Sequence, residues 1–240
     1  MTGLVRKATL LGVCGLLAAA TAMAAVPSPG NSTIVSYIKL VGTKSAPGNP
    51  AVDTVTGQFT ITVRDFTNTP ISGSNVEINF QNCSDSKVCT AVVAGQTVDC
   101  INAAVRATTN ALGQVVMTIL GAATNAGTTI PPAIAAGAGA NCGRIFADGV
   151  QLGIFTAVDP DENGAAGGNG VNGADLGTLK NDVGAVSLGA AYKGRGDIDM
   201  NGLINGSDLG FLKDIVGRSS LGNGSATGCA DGTGAKPYCL

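Results

Sequence analysis

"GQFTITVRDFTNTPISGSNVEINF", residues 57–80, carries apolar side chains at every second position on both sides of a polar turn. Phe59, Ile61 and Val63 alternate with Thr60, Thr62 and Arg64, which gives a strand one dry face and one wet face. Val76, Ile78 and Phe80 repeat the pattern after Pro70 and Gly73, two residues that end strands and set turns. The same period continues outward, in "STIVSYIKLVG" (32–42), "AVRATTN" (104–110), "GQVVMTIL" (113–120), "GRIFAD" (143–148) and "VQLGIFTA" (150–157). Seven or so short strands punctuated in this way, between about residue 31 and residue 157, predict a β-sandwich. With 45% hydrophobic residues the 240-residue chain can fill such a core. The aromatic share is 4% and there is no Trp, so Val, Ile, Leu and Ala must supply most of it.

The ends of the chain speak to compartment. Arg6 and Lys7, an apolar run from Ala8 and the triplet Ala22-Met23-Ala24 have the order of an export signal, with cleavage expected after Ala24. No later segment is long and apolar enough to span a bilayer. The expected location is secreted or cell-surface. Removing residues 1–24 removes Cys14 and leaves Cys83, Cys89, Cys100, Cys142, Cys229 and Cys239. An even number of cysteines in an exported chain predicts disulfides, and six allow about fifteen pairings. Nearness along the chain favours Cys83–Cys89 and Cys229–Cys239, which leaves Cys100–Cys142.

Composition narrows the chemistry. The chain has no His, which excludes Ser-His-Asp and Cys-His catalysis and the usual zinc sites. Only two Glu are present, Glu77 and Glu162, and the Asp residues cluster at loop spacing, so paired carboxylates for glycoside hydrolysis are not evident. No enzymatic activity is expected. Lys plus Arg number 14 against 16 Asp plus Glu, with no basic patch, so nucleic acid is not an expected partner.

Beyond Asp159 the period changes and an internal repeat emerges. "NGADLGTLKNDVG" (172–184) and "NGSDLGFLKDIVG" (205–217) agree at nine of thirteen positions at an offset of 33 residues. Leu176, Leu179 and Val183, and in the second copy Leu209, Leu212 and Val216, recur at helical spacing, so each copy predicts a short helix ending at Gly184 or Gly217. Before the second helix, Asp197, Asp199 and Asn201 stand at loop positions 1, 3 and 5, Gly202 at 6, Leu203 at 7 and Asp208 at 12. Ca²⁺ takes about six to eight oxygen ligands, and this spacing aims alternate side chains, the Leu203 carbonyl and Asp208 at one centre. In the first copy Asp159, Asp161, Asn163 and Asp175 take the same roles, over seventeen residues instead of twelve. The surplus is Gly-rich and can be looped out at small entropic cost. Ile204, at position 8, is expected to pair with its counterpart in the first loop.

Two resemblances follow. "VRDFTNTPISGSNVEINF" with "TTNALGQVVMTIL" resembles bacterial immunoglobulin-like domains of the invasin/intimin type, in which a "D-x-x-x-x-P-I-x-G" turn precedes a "T-x-x-x-G-x-V" strand pair. That implies an immunoglobulin-like sandwich over 25–157, with 81–102 and 121–142 as disulfide-tied loops. Residues 158–220 resemble a dockerin module: a calcium loop with Asp at position 12, one following helix with "D-L-x-x-L-K", and the unit present twice. The whole is then mainly β, an N-terminal immunoglobulin-like β-sandwich followed by a small α-helical, EF-hand-related module and a disulfide-closed tail at 221–240.

The dockerin resemblance implies docking onto a cohesin-like or other surface protein and a link to polysaccharide breakdown. It places partner contacts at Lys180 in the first copy and at Lys213, Asp214 and Arg218 in the second. At the positions before the helices the family's usual polar pair is replaced by Gly173-Ala174 and Gly206-Ser207. The function expected is non-catalytic calcium-dependent attachment or assembly at the cell surface. The alternative is an adhesin or carbohydrate-binding sandwich whose calcium module is purely structural, although three Tyr and no Trp make a poor sugar platform.

Overall fold

A computed structural model describes residues 25–40, 42–43, 51–54, 56–83, 86–88, 93–123, 141–160, 172–186 and 194–218. The expected export signal at 1–24, the tail 221–240, and Cys89, Cys229, Cys239, Asp161 and Asn163 lie outside them. The chain is mainly β, with two helices near its C-terminal end among the described residues.

The strands are β1 (Tyr37–Lys39), β2 (Gly42–Thr43), β3 (Ala51–Val52), β4 (Gln58–Thr62), β5 (Asn75–Asn79), β6 (Ser86–Val88), β7 (Gln96–Asp99), β8 (Ala104–Thr108), β9 (Gln114–Thr118), β10 (Gly121–Ala123), β11 (Gly143–Ala147) and β12 (Val150–Val158). Six form one sheet in the order β1-β12-β11-β5-β8-β7, and β4 pairs with β9 in a second. Two short ribbons, β2–β3 and β6–β10, complete the set. Among the described residues all pairs are antiparallel except β1 with β12. The N-terminal segment serves both sheets. Thr33 exchanges two backbone hydrogen bonds with Thr62 beside β4, and the chain then crosses to lay β1 along β12.

Alternation explains why the two sheets close on each other. Phe59 and Ile61 of β4 and Val115 and Met117 of β9 lie in one buried cluster with Val76 and Ile78 of β5, Val105 of β8, Ile145 of β11 and Phe155 of β12. Each such side chain contributes about 1.5–3 kcal/mol on leaving water. The Phe80 and Phe155 rings meet edge to face at the centre of this core, with centroids 5.1 Å apart.

The two turns on which the immunoglobulin-like resemblance rests are neighbours in space. Asp65 closes the first, its Oδ1 accepting from the backbone N–H groups of Thr67 and Thr69. Thr109, which opens the second, accepts from the Ser74 amide through its hydroxyl and donates that hydroxyl to the Ile71 carbonyl. Gly113 lies between them at φ +69°, where an added Cβ would meet the Val63 carbonyl oxygen at 2.5 Å and Ile71 N at 3.0 Å. Both the backbone sign and the space therefore demand Gly. Gly113→Ala is expected to cost about 2–4 kcal/mol, read as a lowered denaturant midpoint at unchanged slope.

Two expectations fail here. Cys83 is bonded to Cys142, so neither Cys83–Cys89 nor Cys100–Cys142 forms, although Cys100 is itself disulfide-bonded. The cause is sheet register. β5 and β11 run antiparallel with Asn79 opposite Arg144, which brings the residues just past β5 and just before β11 to one end of the sheet. The two Cα atoms lie 4.9 Å apart despite 59 residues of separation, so spatial nearness overrides nearness in sequence. Residues 81–102 and 121–142 are likewise not all loop, since β6, β7 and β10 lie within them. The signal in β7 is weak because Gln96, Thr97 and Asp99 are polar. Gln96 is nonetheless buried and accepts the Thr118 amide through its side chain.

Candidate metal centre

The repeat folds as two helices, α1 (Gly173–Asn181) and α2 (Gly206–Arg218). Each starts with the same arrangement. In the first copy the Asn172 side chain accepts from the Ala174 amide at 2.7 Å, while Asp175 Oδ2 accepts from the Asn172 amide at 2.7 Å. In the second, Asn205 accepts from the Ser207 amide at 2.6 Å and Asp208 Oδ2 from the Asn205 amide at 2.8 Å. These reciprocal caps satisfy amides that a helix start leaves unpaired and place a negative charge in the first turn. Asp175 and Asp208 are both fully buried.

Leu179 and Leu212 are buried at equivalent positions of a second small core with Val158, Ile198, Ile204 and Ile215. The expected apolar stripe departs from this at Val183, which is 45% exposed. α1 stops at Asn181 because Asp182 stands where α2 has Ile215. A charged side chain cannot fill that core position, and Asp182 instead caps the helix with its N–H on the Leu179 and Lys180 carbonyls. Gly184 follows at φ +96°.

The second loop brings Asp197, Asp199 and Asp208 together, with one oxygen from each within 4.8 Å of the others. Asp208 Oδ1 accepts the Ile198 and Asp199 amides at 2.7 and 3.1 Å, which folds the loop's first residues back onto the helix start. Asp197 accepts from the Asn201 and Gly202 amides at 3.1 and 2.8 Å. That turn needs Gly202 at φ +85°. Burial pushes the Asp208 carboxyl above its ordinary value; the Asn205 and Asp199 amides oppose the shift, and the negative charge of Asp199 adds to it.

Three carboxylates at this spacing, two of them buried, form an all-oxygen donor set of the kind hard divalent cations take. Asn201 and Leu203 stand at the rim. Asn201 donates from its amide nitrogen to Asp199, and its oxygen accepts the Leu203 amide, while the Leu203 carbonyl accepts from Asn205 Nδ2 at 3.1 Å. The role of Asn205 in capping α2 and holding that carbonyl is carried in the sequence only by its match to Asn172.

The chain matches no family model, no curated protein and no solved structure.

The first copy is described in part. Asp159 is fully buried where β12 ends and Asp175 is fully buried at the start of α1, while Asp161 and Asn163 fall outside the described residues. The counterpart of Ile204 in that loop, Val171, lies outside the described residues. The Ile204 N–H donates to the Ala185 carbonyl at 2.9 Å and its carbonyl accepts from Gly184 at 2.8 Å, so both backbone groups are used by the segment after α1. Lys180, Lys213 and Asp214 are exposed, and Arg218 is the last residue of α2. A separate charged group, Glu77–Arg106–Asp99, bridges β5, β8 and β7 at 2.7 and 2.9 Å. Asn102 first, then Arg106, hold Asp99 down to about 2.

Proposed function

We propose that the chain is an exported, non-catalytic calcium-binding protein in which an immunoglobulin-like sandwich carries a dockerin-like calcium module for attachment at the cell surface. The observation that carries the reading is the Asp197–Asp199–Asp208 cluster, set by backbone amides at the start of a helix whose cap occurs twice. Asp197, Asp199 and Asp208 would hold the ion, with the Asn201 side chain and the Leu203 carbonyl of the same loop as the further oxygen donors this reading calls on. The bound ion would neutralise their mutual repulsion and fix α2 against its loop.

For the sandwich, strand order supports the immunoglobulin-like reading. The N-terminal segment, β4 and β9 make one layer and β5, β11 and β12 the other, with the first strand switching layers. Among the described residues no helix is long and apolar enough to cross a membrane. On this reading docking uses the exposed Lys180, Lys213 and Asp214, together with Arg218 at the end of α2, towards a cohesin-like or other surface protein.

One observation favours a second reading. The exposed face at the starts of both helices presents Gly173, Ala174 and Gly177, and Gly206, Ser207 and Gly210, which offer a partner little to grip. A structural calcium module under an adhesive sandwich fits that face. Capture of surface proteins on the immobilised full-length chain, with Ca²⁺ or with EDTA, separates the two. Docking through the module requires a partner that is lost in EDTA and weakened by Lys213→Ala. A partner retained in EDTA and indifferent to Lys213 assigns binding to the sandwich.

A further inference from the structure

Strand β12 changes character along its length. Leu152 is buried and Gln151 and Ile154 are exposed around the point where the register with β11 shifts, yet from Phe155 to Val158 every residue is buried. Phe155 and Ala157 enter the β core, and Val158, pointing the opposite way, enters the core of Leu179, Ile198, Ile204, Leu212 and Ile215. The end of β12 is thus sandwiched between two cores. Asp159, the first candidate ligand, is the next residue and is fully buried, so no linker intervenes.

The neighbouring strand adds a second tie. Leu40 N–H donates to the Val158 carbonyl at 2.9 Å, and Lys39 of β1 places its ammonium 5.3 Å from the centroid of the Phe211 ring on α2. The short turn at Gly194–Gly196, which leads into Asp197, packs on β12 as well.

We infer that the helical part and the six-stranded sheet are one cooperative unit built around β12, so that a cation held by the carboxylate loop stabilises the sheet itself. The inference rests on the calcium reading given above. A tethered module would leave the sheet indifferent to the ion. In a shared unit the sheet unfolds only with the site, and ligand free energy reaches strands remote from it by linkage.

Hydrogen exchange on the full-length chain tests this, with Ca²⁺ binding measured on the same sample by calorimetry. The amides of β5 and β8, separated from β12 by β11, are the reporters. With free Ca²⁺ at about 100 times its Kd, their protection against global opening should rise about 100-fold. In the double variant Val158→Ser, Phe211→Ala, Ca²⁺ should still bind while this rise shrinks to a small fraction. Binding without any change in β5 and β8 protection in the unmodified chain overturns the inference and leaves the calcium reading standing. Absence of binding overturns both.

Discussion

Removal of the Cys83–Cys142 bond, by paired Ser substitution, is expected to lower stability by about 2–4 kcal/mol. The bond closes a loop of 59 residues, and in the chain-entropy account loops of that length gain most from closure. Cys83 is also 1% exposed and belongs to the β core, so the substitution places a hydroxyl where apolar packing stood. Denaturant unfolding should show the lowered midpoint. A non-reduced digest should yield one peptide pair joining residue 83 to residue 142. Recovery of Cys83 joined to Cys89 would instead restore pairing by nearness in sequence.

The second large effect concerns Asp208. Its carboxylate accepts three backbone amides and is one of the three acids of the cluster, so Asp208→Ala removes a cap and a ligand together. Each orphaned buried amide costs about 1–3 kcal/mol. Ca²⁺ affinity should fall by more than the roughly 10–100-fold that loss of an outer-shell partner causes. Calorimetry on Asp208→Ala, with Asp99→Ala as the control acid far from the loop, reads this directly. Equal affinity in the Asp208 variant and the unmodified chain would remove the cluster from any role in metal binding.

Much of this was legible in the residues, and the failures have physical causes. Strands with one dry face, such as Gln58–Thr62 and Asn75–Asn79, declare themselves because burial follows their alternation without exception. Strand β7 does not, since its polar residues pair at a sheet edge and the one buried among them, Gln96, is held by a hydrogen bond instead of by apolar contact. The acids of the second loop could be placed from spacing alone, because a helix start and a glycine turn are local features. Disulfide pairing could not. It depends on the register of β5 with β11, which joins residues far apart in the chain.

The shortened first helix lies between these cases. The nine matched positions of the repeat suggest two equal helices, whereas the single change of Ile215 for Asp182 decides where one of them stops. The sequence reads the end of β12 as one more alternating strand, because the second core that covers its outer face at Val158 is a tertiary fact.

The central claim is that the carboxylate loop binds calcium and that binding organises the helical part. Far-UV circular dichroism of the full-length chain, first stripped of metal and then titrated with Ca²⁺, tests it most directly. The account predicts a saturable gain in helical signal, reversed by EDTA and absent in Asp208→Ala. An unchanged spectrum and an unchanged melting temperature across the titration would contradict it.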